Sequence, residues 1–184
     1  MRPIAADVTD DAAVKRLFET TGPVDHVVVT AAVLKAGHIK KMTIEDARST
    51  MESKFWGAWR VAHFGEIVSG GSLTLVSGFL SIRPRPNSAI VGAANGALES
   101  LVRSLAIDLA PARVNAVSPG IIDTPIRANM AAESRTAMLK QAAATLPVGR
   151  VGEAEDIGLQ IVALMKNGFA TGSIMYVDGG GLIA

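Results

Sequence analysis

Apolar residues recur at spacings of three and four between residues 88 and 109: Ile90, Ala94, Leu98, Leu101, Leu105 and Leu109. That is the period of a helix burying one stripe. Pro111 ends it, because its ring cannot continue the hydrogen-bond ladder. Residues 113–117 (Arg-Val-Asn-Ala-Val) then read as a strand, and Ser118-Pro119-Gly120 forces a turn at its carboxyl end. Ligands of open parallel sheets sit beyond the carboxyl ends of the strands, so this loop is the first place to seek function.

The same alternation runs along the chain. Ile4-Ala5-Ala6 predicts a short strand, and Thr9-Asp10 caps a helix carrying Ala13, Leu17 and Phe18. The β-branched run Val27-Val28-Val29 predicts a buried strand closed by Thr30-Ala31-Ala32. Thr43 opens a helix that continues to about Val68 and carries Met51, Phe55, Trp59 and Ala62, with both tryptophans expected to pack. Gly70-Gly71 is expected to turn the chain into a strand over residues 72–77. A loop with two Arg-Pro pairs, at Arg83 and Arg85, leads to the long helix. Residues 126–144 have helical composition, a further helix begins near Glu153, and residues 174–177 form a last strand. Strands thus alternate with helices, which predicts an α/β fold built on a doubly wound parallel sheet in a single domain.

Composition narrows the function classes. The chain has 184 residues, of which 49% are hydrophobic and 19% charged, the balance of a globular domain with a sizeable core. A net charge of +1 without a basic stripe argues against nucleic acid as a partner. The longest uninterrupted apolar runs fall short of the ~20 residues of a membrane span, and Asp7, Asp10 and Asp11 come too early for a signal peptide. A cytoplasmic location is the expectation. With no cysteine, thiol catalysis and thiolate metal sites are excluded; His26, His38 and His63 lack ligand spacing, so no metal is expected.

Taken together, these segments resemble the short-chain dehydrogenase/reductase family over nearly the whole chain. The specific matches are Arg113-Val114-Asn115-Ala116-Val117-Ser118-Pro119-Gly120 with Ile122 and Thr124, the preceding stretch 94–111, and the ending Tyr176-Val177-Asp178-Gly179-Gly180. The resemblance implies a Rossmann-like sheet and NAD or NADP as cofactor. It places Pro119, Gly120, Ile122 and Thr124 along the nicotinamide. Asp7, Val8, Thr30, Ala31 and Ala32 are placed along the adenosine. It also implies a homo-oligomer acting on a small-molecule substrate.

Two departures stand beside the match. The family's glycine-rich turn would precede Asp7 and is absent, as if the first two strands were missing. In the family's strand order those strands separate residues 4–6 from residues 27–29 by three spacings of ~4.8 Å. Residues 1–8 are therefore expected to be displaced, disordered or paired differently. The family's catalytic tyrosine and lysine, four residues apart on one helical face, align with Val91 and Asn95, whereas Lys54 takes the place of its asparagine. Lysine and asparagine have traded places, and valine carries no proton.

The catalytic candidates are therefore Ser77, Lys54 and Asn95. For Lys54 the competing reading is a helix lysine reaching solvent; for Ser77 it is a strand end, with Gly78 aligning equally well. Ser77 lacks the elbow of a hydrolase nucleophile. Arg83 and Arg85 read either as anion contacts or as solvated loop residues. Two functions stay open: hydride transfer between NAD(P) and a carbonyl or alcohol, and a non-catalytic relative that senses cofactor or acts as a scaffold.

Overall fold

The computed structural model describes residues 2–125, 128 and 130–184. Four parallel strands form the main sheet in the order β1-β2-β3-β6 (β1 Val24–Val29, β2 Ile67–Val76, β3 Arg113–Pro119, β6 Ile174–Val177). A separate two-stranded ribbon, unforeseen in the hydrophobic pattern, pairs β4 (Ile122–Asp123) with β5 (Gly152–Glu153). Among the described residues there are six α-helices: α1 Asp11–Thr21, α2 Ile44–Met51, α3 Gly57–Phe64, α4 Ala89–Asp108, α5 Ala132–Thr145 and α6 Ala154–Lys166.

The expected stripe of α4 is the centre of the core. Leu98, Leu101, Val102 and Leu105 pack with Leu73 and Leu75 of β2, Val114 and Ala116 of β3, Ala58 and Val61 of α3, and Val14 of α1. By length and composition α4 would suffice to cross a membrane, but its apolar face is the one committed to this core. The opposite face of the sheet carries Val117 and Val76 against Ile157, Ile161 and Leu164 of α6. Buried Arg113 fastens that helix: Nη1 donates to Leu164 O at 2.7 Å and Nη2 to Met165 O at 2.8 Å, satisfying carbonyls of its last turn.

Four expectations need correction. Residues 4–6 form no strand; residues 2–7 are exposed, and only Val8 packs, against Gly57 of α3. An apolar run of three residues behind Pro3 has no neighbouring strand to complete its hydrogen bonds, so it stays outside the sheet. Gly70-Gly71 does not turn the chain but lies inside β2, as a bulge. The register jumps from Val24↔Ile67 to His26↔Ser72, Gly70 takes a φ of +82°, and a Cβ on Gly71 would strike the carbonyl of Asp25.

The helix opened by Thr43, whose Oγ1 accepts from Asp46 N at 3.0 Å, stops at Phe64 rather than near Val68. It is interrupted at Glu52–Trp56 by a π-helical turn. Trp56 and Trp59, expected to pack, stack edge-to-face on each other and are each 45% exposed. The helix expected over residues 126–144 is α5; Ile126, Arg127 and Asn129 lie outside the described residues.

Candidate active site

The carboxyl ends of β1, β2 and β3 open onto a cleft of about 530 Å³. Thr30 and Ala32 follow β1, Ser77 and Gly78 follow β2, and Pro119, Gly120, Ile122 and Thr124 end or follow β3. The π-helical turn contributes Lys54, α4 contributes Val91 and Asn95, and α6 closes the slot with Ala154, Ile157 and Ile161. The three catalytic candidates and six of the nine cofactor candidates therefore converge on one cavity. Asp7, Val8 and Ala31 do not line it. Asp7 is exposed, and its Oδ1 accepts from both Thr9 N and Thr9 Oγ1 at 2.8 Å, bonds that hold the carboxylate below its ordinary range. It shapes the entry to α1 through an Asx turn.

Lys54 is 6% exposed, and its ammonium makes one hydrogen bond, from Nζ to Ser77 O at 3.1 Å. It is the single ionisable side chain among the residues lining the cleft, and no carboxylate pairs with it among the described residues. Burial alone lowers its pKa from 10.5 to about 8. A lysine reaching solvent is thereby ruled out. The π-helical turn that presents it inserts an extra residue into the helical repeat, a device found often at functional sites.

Ser77 is held at the strand end by its own N–H, which donates to Val117 O at 2.8 Å. Its hydroxyl donates to Glu99 Oε1 at 2.8 Å, with Asn95 O a longer alternative at 3.3 Å. Glu99 is 4% exposed and collects two further donors, Ser81 Oγ at 2.7 Å and Tyr176 OH at 3.3 Å. Tyr176 is pushed above its ordinary pKa, first by burial and then by the charge of Glu99. A carboxylate beneath the cleft thus fixes which way the Ser77 hydrogen points and leaves that oxygen as an acceptor.

The hydrophobic pattern did not single out Glu99. The available signal was a lone acid four residues after Asn95, on a helix face otherwise apolar. Gly78, the other candidate for the serine position, meets Asn95 instead: a Cβ there would lie 2.8 Å from Asn95 Nδ2. Asn95 Oδ1 is buried with no partner among the described residues, an acceptor left for a donor entering from the cleft.

The arginines of the loop before α4 are exposed, each with a side-chain contact to the protein. Arg83 Nη1 donates to Gly181 O, outside the cleft, and the Arg85 guanidinium lies 5.1 Å above the ring of Phe79, a cleft residue.

A slot with apolar walls and a few polar atoms at the carboxyl ends of parallel strands is a nucleotide-cofactor geometry. Asn95 Oδ1 and the segment 119–124 fit the nicotinamide end of such a group. The phosphate-binding glycine-rich turn is not among the residues of this chain.

The family model for enoyl-(acyl carrier protein) reductase matches residues 1–181. The chain belongs to the short-chain dehydrogenase/reductase family. Among its curated relatives is a short-chain dehydrogenase/reductase of Acremonium sp, 34% identical over 166 residues; the match takes in 88% of this chain but only 63% of that protein. L-xylulose reductase of Mus musculus is 31% identical over 191 residues, covering 98% of this chain and 77% of that protein. A small-chain dehydrogenase solved in complex with NADPH superposes with a TM-score of 0.95 at 39% identity, covering 98% of this chain and 84% of that one.

Within the family pattern, the active-site departures keep their geometry: Val91 and Asn95 sit on the cleft face of α4, and Lys54 faces them from the π-helical turn. The sheet order β1-β2-β3-β6 is a doubly wound parallel sheet, and the segment 4–6, expected as a strand beside it, is not part of it.

Proposed function

We propose that this chain is an oxidoreductase of the short-chain dehydrogenase/reductase type that moves a hydride between NAD(P) and a carbonyl or alcohol. The observation that carries the reading is the convergence of Lys54, Ser77 and Asn95 with the segment 119–124 on one cleft. The relative solved with NADPH supports the choice of cofactor. When bound, the nicotinamide would supply the hydride for a carbonyl or accept it from an alcohol.

The proton has to come from the protein, and Val91 excludes the family's usual source. Lys54 takes that part. As an ammonium ion it donates to the carbonyl oxygen and stabilises the negative charge that grows there. A pKa of about 8 leaves it protonated at neutrality yet ready to release the proton. The alcohol so formed then donates to Ser77 Oγ, whose own hydrogen is committed to Glu99. The half-exposed Trp56 and Trp59 and the shallow groove beside them, lined by Ile44, Met51 and Ile90, support a homo-oligomer joined through this side.

The test is NADPH titration by calorimetry, followed by an absorbance assay over a panel of ketones and alcohols. Binding with turnover that Lys54→Met abolishes, at unchanged NADPH affinity, is the expected result. The second reading, a non-catalytic relative that senses cofactor or acts as a scaffold, is favoured by Val91 and by the absence of a glycine-rich turn from the sequence; binding without turnover on any substrate would select the sensor. Absence of binding would remove the oxidoreductase and the sensor and select the scaffold.

A further inference from the structure

We propose that Lys54 is also a nucleophile, and that the cleft captures small apolar aldehydes reversibly as an imine on its Nζ. Three observations point there. The amine lies on the wall of a cavity of about 530 Å³, large enough for a small organic molecule. Its only hydrogen bond runs from Nζ to the carbonyl of Ser77, and no carboxylate holds it as an ion pair among the described residues. The wall around it is mainly apolar, with Leu34, Phe79, Val91 and Ile157 facing the same space. Desolvation in such a pocket is what turns a lysine into a nucleophile. Burial supports this by raising the neutral fraction at neutral pH above that of an ordinary lysine.

The step balances without an outside reagent. The Nζ lone pair attacks the aldehyde carbon, and a C–N bond forms as the carbonyl π bond opens. The oxygen then leaves as water, taking both amine hydrogens, and a C=N bond remains. The reverse hydrolysis restores lysine and aldehyde. The polar atoms for the departing oxygen are at hand in Thr30 and Ser77, which border the same cavity. Aldehydes fit better than ketones because one small substituent lets the carbon approach an amine held against a wall.

The remaining six lysines (Lys15, Lys35, Lys40, Lys41, Lys140 and Lys166) are all exposed, which supplies an internal control. The full chain, without nicotinamide cofactor, is incubated at neutral pH with hexanal and sodium cyanoborohydride, and the adducts are located by peptide mass mapping. The expected result is a hexyl group on Lys54 roughly ten-fold faster than on any exposed lysine. Lys54→Arg should remove that fast adduct and keep the slow ones. Adducts spread over the exposed lysines with Lys54 unmodified would overturn the proposal, and the wild-type map decides this even if the variant fails to fold. Because no cofactor or hydride is involved, failure here leaves the oxidoreductase reading standing, and failure of that reading leaves this one standing.

Discussion

The two halves of α4 come from one continuous amphipathic stretch, yet they face opposite kinds of surroundings. Its later half, with Leu101, Val102 and Leu105, is packed among aliphatic side chains of β2, β3 and α3. Its first half carries Val91 and Asn95, both buried, beside a cavity and a buried lysine, with buried Glu99 following at the midpoint. The later half contributes stability by removing apolar surface from water. The first half contains an amide oxygen, Asn95 Oδ1, with no partner among the described residues, and it faces the Lys54 amine, buried without a carboxylate; each opposes folding. Local rules broken at one end of a helix and obeyed at the other mark the broken end as the functional one.

The contrast is sharpest in substitutions of opposite sign. Leu73, fully buried beneath α4, should lose ~4 kcal/mol on replacement by alanine, read as a fall in the denaturation midpoint at unchanged slope. Lys54→Met should do the reverse. A folded-state pKa of about 8 against an ordinary 10.5 means the unfolded chain binds more protons between those values, so stability rises with pH across that window. Below about 8 the native state bears the whole cost, ~3 kcal/mol, and above about 10.5 it bears none. The methionine variant should therefore be the more stable protein at neutral pH, with its advantage shrinking above pH 8. Denaturant midpoints of the two proteins across that range measure it, and a constant or reversed difference would place Lys54 in solvent.

The two halves also differ in how far the amino-acid pattern revealed them. The later half, and the strands it covers, could be read because periods of 3.6 and 2 survive any tertiary context. Around the cleft, the decisive features are long-range. Glu99 gains its meaning from residues 77, 81 and 176, on three other segments, and nothing local connects them. The π-helical turn that carries Lys54 leaves no mark in composition, and the β2 bulge depends on how closely Asp25 approaches Gly71.

Lys54, Ser77 and Asn95 were reachable only because family spacing aligned them, and the cavity brings all three together. The same alignment put Asp7, Val8 and Ala31 at the cofactor, where spacing along the chain is a poor guide. Asp7 and Val8 lie outside the sheet, where the Asp7 carboxylate accepts from Thr9, and Ala31 follows β1 without lining the cavity.

The smallest effect tests the link between the cleft and the carboxylate beneath it. Tyr176 is the chain's single tyrosine, so its ionisation can be followed by tyrosinate absorbance without assignment. In the native protein it titrates above the ordinary value, because burial and then the Glu99 charge both disfavour the phenolate. Glu99→Gln keeps the shape and removes the charge, so the Tyr176 pKa should fall toward the ordinary value while staying above it, burial being unchanged. The same substitution lets an amide N–H point at Ser77 Oγ and frees the serine hydrogen to face the cleft. A shift in the tyrosine titration of Glu99→Gln, with the fold intact by circular dichroism, would establish an ionised Glu99 in the native protein. An unchanged titration would mean that burial alone holds Tyr176 above its ordinary value, and that the Glu99 carboxylate does not act on it.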